Sequence, residues 1–349
     1  MVRATGGSDT LRGQGRLRGH MNTTLTHLLV VLTLASLGAC GSIDYDYPRN
    51  ESFHLEETSD TRMGRQVEPI VAAKPPGQSG FYPIVDGVEA LTLRLLLADR
   101  AEKSIDLQYY LIKNDVVGRA LILYLLRAAD RGVRVRLLLD DMFTSGYDVG
   151  IAALNSHPNF EIRIFNPFRR GAAGRSLGAA TEFARINRRM HNKSFTIDNQ
   201  VTVIGGRNIA DEYFGVREDA KFGDLDVLAI GPVVQDVSNM FDLYWNHLTA
   251  LPAPAFLKEL DDPGAALERL RAGLEASQEE ILGTRYAAAV EARMLRYVEE
   301  DNALLYWAPY QMVVDSPDKG ISEKADQAER ITTPLQEAMQ AADEKLVIL

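Results

Sequence analysis

Between Gly87 and Phe165 the chain switches hydrophobic period several times, and that alternation restricts the fold more than any other feature. Leu93, Leu96 and Leu97, followed by Arg100, mark a helical face that runs into a β-type stretch from Ser104 to Ile112. A helix from about Val116 to Asp130 comes next, stopped by Arg131-Gly132, and then a buried strand, VRVRLLLD, from Val133 to Asp140. A helix over about Asp148 to Asn155 and a strand over Glu161 to Phe165 complete a β-α-β-α-β series. Consecutive parallel strands need crossover helices, so the series predicts an α/β class fold, an α-β-α sandwich with a mixed, largely parallel sheet. Further strands are expected at Lys193 to Ile197, Val201 to Ile204 and Asp224 to Ile230, then an amphipathic helix from Val233 to about Leu248, with Pro252 and Pro254 closing the unit.

At 349 residues the chain has room for about two domains. We read residues 81–250 as the first, and 251–330 as a connecting region that is helical from Pro263 to about Asp301 and extended from Trp307 to Asp315. Near the end, Leu335, Glu344, Lys345, Val347 and Leu349 match Leu93, Glu102, Lys103, Ile105 and Leu107 at a constant offset of 242 positions. Residues 331–349 therefore read as the start of a second, truncated copy of the domain. Residues 40–80 are polar, lack apolar periodicity and are expected to be a tether and leading loop.

The N-terminus carries a different signal. Leu28 to Leu37 is almost wholly apolar and follows Arg12, Arg16 and Arg18, too short for a span but suited to the apolar centre of an export signal. The single cysteine excludes an internal disulfide, and it sits in Leu37-Gly38-Ala39-Cys40, which resembles the bacterial lipoprotein box. Residues 1–39 are then a signal peptide, starting at Met1 or Met21, and Cys40 a lipid anchor. The chain is expected to be exported and held at a bacterial membrane, on its periplasmic or extracytoplasmic side.

The chemistry concentrates in Met190-His191-Asn192-Lys193-Ser194-Phe195-Thr196-Ile197-Asp198, followed by Gly205-Gly206-Arg207-Asn208. Period-two geometry puts His191 and Lys193 side by side on one strand face and turns Asp198 to the other, as a structural or positioning member of the set. An imidazole beside a fixed ammonium suits phosphoryl transfer: the histidine attacks phosphorus and the lysine holds non-bridging oxygens. Between Arg169 and Lys193 seven basic residues stand against one acid, Glu182, within a chain of formal charge -10. Such local focusing fits an anionic substrate, while the overall acidity disfavours nucleic acid.

His191, Lys193, Asp198, Gly205 and Asn208 resemble the signature of the phospholipase D superfamily. The flanks, Arg188 to Lys193, Gly205 to Phe214 and Phe222-Gly223-Asp224-Leu225-Asp226, are similar to the C-type cardiolipin synthases, with the likeness running from about Thr61 onward. The resemblance implies two such motifs per active site and no metal or cofactor. One histidine forms a phosphohistidine and the other serves as general acid. Carried over, His191 is catalytic, Lys193 binds phosphate and Asn208 is a polar group beside it. Gly206 stands where many members have serine, so it offers no hydroxyl, and Asp226 or Asp224 is the candidate for orienting the histidine.

One motif is present, and the repeat offset would put a second near position 433. A missing C-terminal half or a homodimer partner is thus expected to complete the site. The expected function is phosphatidyl transfer on phospholipids at a membrane. The alternatives are a secreted phosphodiesterase or nuclease acting as a homodimer, and a non-catalytic phospholipid-binding lipoprotein.

Overall fold

The structure is a computed structural model that describes residues 43–144, 146–168, 189–216, 223–281, 286–290 and 305–320, with positions 292, 337 and 340. Residues 1–39, Cys40, most of the arginine-rich run after Phe168 and nearly all of 331–349 lie outside the described residues.

The chain folds in the order α1 (Arg62–Ala72), β1 (Ser79–Ile84), α2 (Gly87–Arg100), β2 (Ser104–Tyr109), α3 (Val116–Asp130), β3 (Arg134–Asp140), α4 (Asp148–Asn155) and β4 (Phe160–Phe165). Then follow β5 (Ser194–Ile197), β6 (Val201–Gly205), α5 (Asp211–Phe214), β7 (Asp226–Ile230), α6 (Pro232–Trp245), β8 (Ala250–Pro252), α7 (Pro263–Ile281) and β9 (Tyr306–Ala308). The nine strands form one mixed sheet in the order β8-β4-β3-β2-β5-β6-β7-β1-β9.

The predicted series is present, with β2, β3 and β4 parallel and α3 and α4 as crossovers. Asp115 caps α3 by accepting from the Gly118 N–H at 3.0 Å, and Gly132, with φ of 94°, ends it in the left-handed conformation. The sheet is mixed, as expected, with its parallel pairing at β2, β3 and β4: β5, β6 and β7 form an antiparallel meander, and β1, β8 and β9 also pair antiparallel. The reason is local. Asp198 and Asn199, at φ of 48° and 49°, turn the chain back within three residues between β5 and β6, where no crossover helix fits.

The described part of the expected tether, residues 43–80, includes α1 and the start of β1. Thr61 caps α1 through the Gly64 N–H at 3.0 Å, and β1 pairs along its length with β7. The irregular segment before α1 is pinned by polar groups rather than by an apolar face. Arg136 donates to the Ser52 carbonyl at 2.8 Å, the Trp245 indole N–H donates to Ser52 Oγ at 2.8 Å, and the His54 ring is 2.7 Å from Asp242. The connecting region is likewise built in: α7 packs on α3 and α4, and β8 and β9 form the two sheet edges.

Each sheet face buries its own core. Leu107, Leu137, Ile162, Phe195 and Val203 pack with α2 and α3 on one side; Leu138, Met190 and Ala229 pack with Val237, Phe241 and Trp245 of α6 on the other. Within that second layer Arg136 is buried, forked onto Asp106 at 2.6 and 2.7 Å and reaching Asp242 at 2.8 Å. Among the described residues no helix is long and apolar enough to cross a membrane.

Candidate active site

His191 and Lys193 lie on the irregular run that feeds β5, which begins at Ser194 directly after Lys193. They remain together, as their spacing predicts, but a tyrosine defines the geometry. The His191 ring stacks on Tyr110 with centroids 4.2 Å apart and planes inclined by 19°. The Lys193 ammonium lies 5.7 Å from the same phenol ring and donates to the His191 carbonyl at 2.6 Å. Tyr110 follows the last residue of β2 and meets Phe143 edge-on at 5.4 Å. His191 is exposed and Lys193 half-buried; burial lowers the lysine pKa, and the field of Asp224 and Asp226 opposes that fall.

Asp140, at the end of β3, holds the approach to His191. Its carboxylate accepts from the Met190 N–H at 3.1 Å and the Met142 N–H at 2.9 Å, and lies 3.3 Å from the Arg189 guanidinium. Burial pushes the Asp140 pKa up to about 7, against the pull of Arg189 and the two N–H donors. Arg189 also stacks over Phe168 at 4.1 Å. Neither Tyr110 nor Asp140 stood out in the sequence. The available signal was their position, since Asp140 ends β3 and Tyr110 directly follows β2 at the carboxyl edge of the parallel series, where open α/β sheets bind ligands.

Asp198 is not part of this cluster. Fully buried, it stands at the opposite end of β5 and accepts from the N–H groups of Glu102, Lys103 and Ser104 at 3.1, 2.8 and 2.9 Å. Its carboxylate joins the β5–β6 turn to the start of β2 through these three N–H groups, at the end of β5 away from His191 and Lys193.

The two candidates for orienting the histidine do other work. Asp226 accepts from Arg94 at 2.8 Å and from the Arg207 N–H at 3.3 Å, and pairs with the Arg207 guanidinium at 3.5 Å. Asp224 precedes β7 rather than belonging to it, and accepts from the Leu225 N–H at 2.9 Å. Neither hydrogen-bonds His191; both bear on Lys193 through charge. The glycine pair exists to admit them. A Cβ on Gly205 would sit 2.2 Å from Asp226 Oδ1, and one on Gly206 1.9 Å from Asp224 Oδ1. Gly206 itself donates its N–H to the Leu225 carbonyl at 3.1 Å.

Asn208 is buried, with its amide nitrogen donating to the Tyr213 hydroxyl at 3.2 Å and its oxygen unpartnered. Turning the amide over lets Tyr213 donate to the oxygen and frees the NH2 for an anionic oxygen. Gln108 and Ser194, opposite each other in the β2–β5 ladder, also bury unpartnered side-chain polar atoms beneath the site.

Residues 96–245 match the family described as cardiolipin synthase, PLD-like domain. The α/β sheet and the His191-Lys193 cluster thus define a phospholipase D-like domain, and the chain belongs to the phospholipase D superfamily. It is 44% identical over 262 residues to cardiolipin synthase C of Escherichia coli (strain K12), a match covering 74% of this chain and 54% of that protein. A cardiolipin synthase of Staphylococcus aureus (strain Mu50 / ATCC 700699) is 32% identical over 208 residues, or 57% of this chain and 39% of the other. The chain spans about half the length of the first of these relatives. Phosphatidylserine synthase of Haemophilus influenzae Rd KW20 superposes with a TM-score of 0.41 at 13% identity, covering 64% of this chain and 49% of that one, and adds no weight to the assignment.

Proposed function

We propose that the chain carries one of the two motifs of a phosphatidyltransferase of the cardiolipin synthase kind. The observation that carries the reading is the packing of His191 and Lys193 against one tyrosine, within a sequence 44% identical to cardiolipin synthase C over 262 residues.

In the first step an imidazole nitrogen of His191 attacks the phosphorus of the donor phospholipid. The bond from phosphorus to the head-group oxygen breaks, and that oxygen takes a proton from an acid opposite the histidine. An acceptor hydroxyl then attacks the phosphohistidine. Its proton passes to the base left by the first step, and the phosphorus–nitrogen bond breaks. Lys193 neutralises the non-bridging oxygens as charge gathers on them, and Asn208 supplies a neutral donor nearby. One histidine cannot stand at both ends of an in-line displacement. We therefore assign the acid to a second His-x-Lys motif, in further chain or in a second copy. Acylation of Cys40 would keep this site at a bacterial membrane surface, and fatty-acid labelling lost in Cys40→Ser checks that placement.

Reactions of a phospholipid labelled at phosphorus, quenched in alkaline denaturant, should yield an acid-labile, base-stable adduct on the peptide bearing His191 or on its partner motif. His191→Ala should abolish transfer, and Lys193→Ala should cost roughly 3 to 4 kcal/mol of barrier. Transfer that proceeds with neither histidine labelled overturns the mechanism.

A further inference from the structure

Beside the His191 cluster lies a cavity of about 220 Å³ between the sheet, α3, α4 and α7. Its walls are apolar, with Ile122, Leu139, Leu154, Ile162, Leu270 and Leu274 contributing from five separate elements. Exposed Asn114 and half-buried Arg119 are among its polar members, and among the described residues the Arg119 guanidinium bonds neutral groups, Asn114 Oδ1 at 2.8 Å and Ser277 Oγ at 3.0 Å. Tyr110 and Phe143 also line it, so the cavity and the reacting histidine share the Tyr110 ring.

We infer that this cavity holds a segment of one acyl chain of the phospholipid whose phosphate meets His191 and Lys193; the inference rests on the phosphatidyl-transfer reading. Three observations select that occupant. The space borders the site, sharing the Tyr110 ring and Asp140 with it, so a ligand anchored by its phosphate has its tail within reach of the cavity. The walls are those of a site for hydrocarbon with a few polar groups, the ordinary make-up of a small-molecule pocket. The size is right, because an apolar cavity of roughly 150 Å³ already admits benzene, so this one admits several methylenes but not two whole tails. Gly150 keeps part of the space open, since a Cβ there would meet no atom within 4 Å.

The test uses the full chain with phosphatidylglycerol carrying a photoreactive diazirine either at the end of one acyl chain or on the head group. The tail probe should label peptides from α3, α4 and α7, and the head-group probe the peptide bearing His191. Gly150→Phe and, independently, Ile122→Trp should each lower tail labelling roughly tenfold, as leaving about two methylenes in water requires, with head-group labelling retained. Thermal melts identify a variant that has not folded, and the other then decides. Head-group labelling at His191 with the tail probe absent from those helices overturns the cavity assignment alone. Unchanged tail labelling in both folded variants does the same, and marks the space as a packing void. Labelling by neither probe overturns the phospholipid reading along with it.

Discussion

Tyr110 stacks on His191 at 4.2 Å, and the Lys193 ammonium lies 5.7 Å from the same ring, so one phenol positions both residues of the motif. The relation crosses between chain segments 81 positions apart, and it locks an exposed imidazole that has no strand around it. Aromatic stacking of this kind is worth about 0.5–1.5 kcal/mol beyond burial.

Removing the ring should therefore loosen the nucleophile. Tyr110→Ala in the complete enzyme should slow phosphohistidine formation by roughly tenfold, while Tyr110→Phe, which keeps the stack, should stay within about twofold. Rapid-quench rates check this, and equal loss in both variants would mean that the hydroxyl, not the stack, matters.

Asp140 should leave a mark on the pH dependence of stability. Its folded pKa, about 7, lies above the ordinary carboxylate value, so the folded state holds the extra proton between the two. This group's contribution to stability is then full at low pH, falls as the pH rises toward about 7, and is flat above. Urea melts should show the stability of the wild type relative to Asp140→Asn falling across that interval. A difference that is constant or rises with pH would contradict the burial argument.

The two glycines should respond unequally to substitution. At Gly205 a Cβ meets backbone as well as side chain, with Asp226 Cα and the Leu225 carbonyl oxygen both at 2.6 Å, so Gly205→Ala should cost about 1–3 kcal/mol. At Gly206 the three nearest atoms are the carboxyl atoms of half-buried Asp224, which can turn away. Gly206→Ser should cost less than about half of the Gly205→Ala penalty. Denaturant midpoints of the two variants decide between this order and its reverse.

Asp198 should matter for folding and not for chemistry. Asp198→Ala strands three N–H donors and places alanine at a φ of 48°, which predicts a loss of about 2–3 kcal/mol. Asp198→Asn keeps an acceptor and tolerates that conformation, so it should lose less. Turnover per folded molecule should match the wild type in both, measured as specific activity corrected by the melt. A rate loss in well-folded Asp198→Asn would return Asp198 to the reacting groups.

Local pattern alone determined a good deal here. The β-α-β-α-β series, the caps and stops of its helices, and the proximity of His191 and Lys193 all follow from hydrophobic period and short-range spacing, which are properties of neighbouring residues. Strand direction, by contrast, depends on what lies between strands, and a three-residue turn at Asp198 to Gln200 sets β5 and β6 antiparallel. Residues 43–61 looked structureless because their partners, Arg136, Asp242 and Trp245, lie far along the chain and hold them by buried polar contacts that leave no periodicity. The same holds within the site. Parity could turn Asp198 off the His191 face, but only the packed sheet could show that Asp226 answers Arg94 and Arg207, that Asp140 clamps the backbone before His191, and that Tyr110 carries the ring. Each of those is an encounter between segments that sequence spacing does not relate, settled by how the strands line up and where burial forces a charge to find its partner.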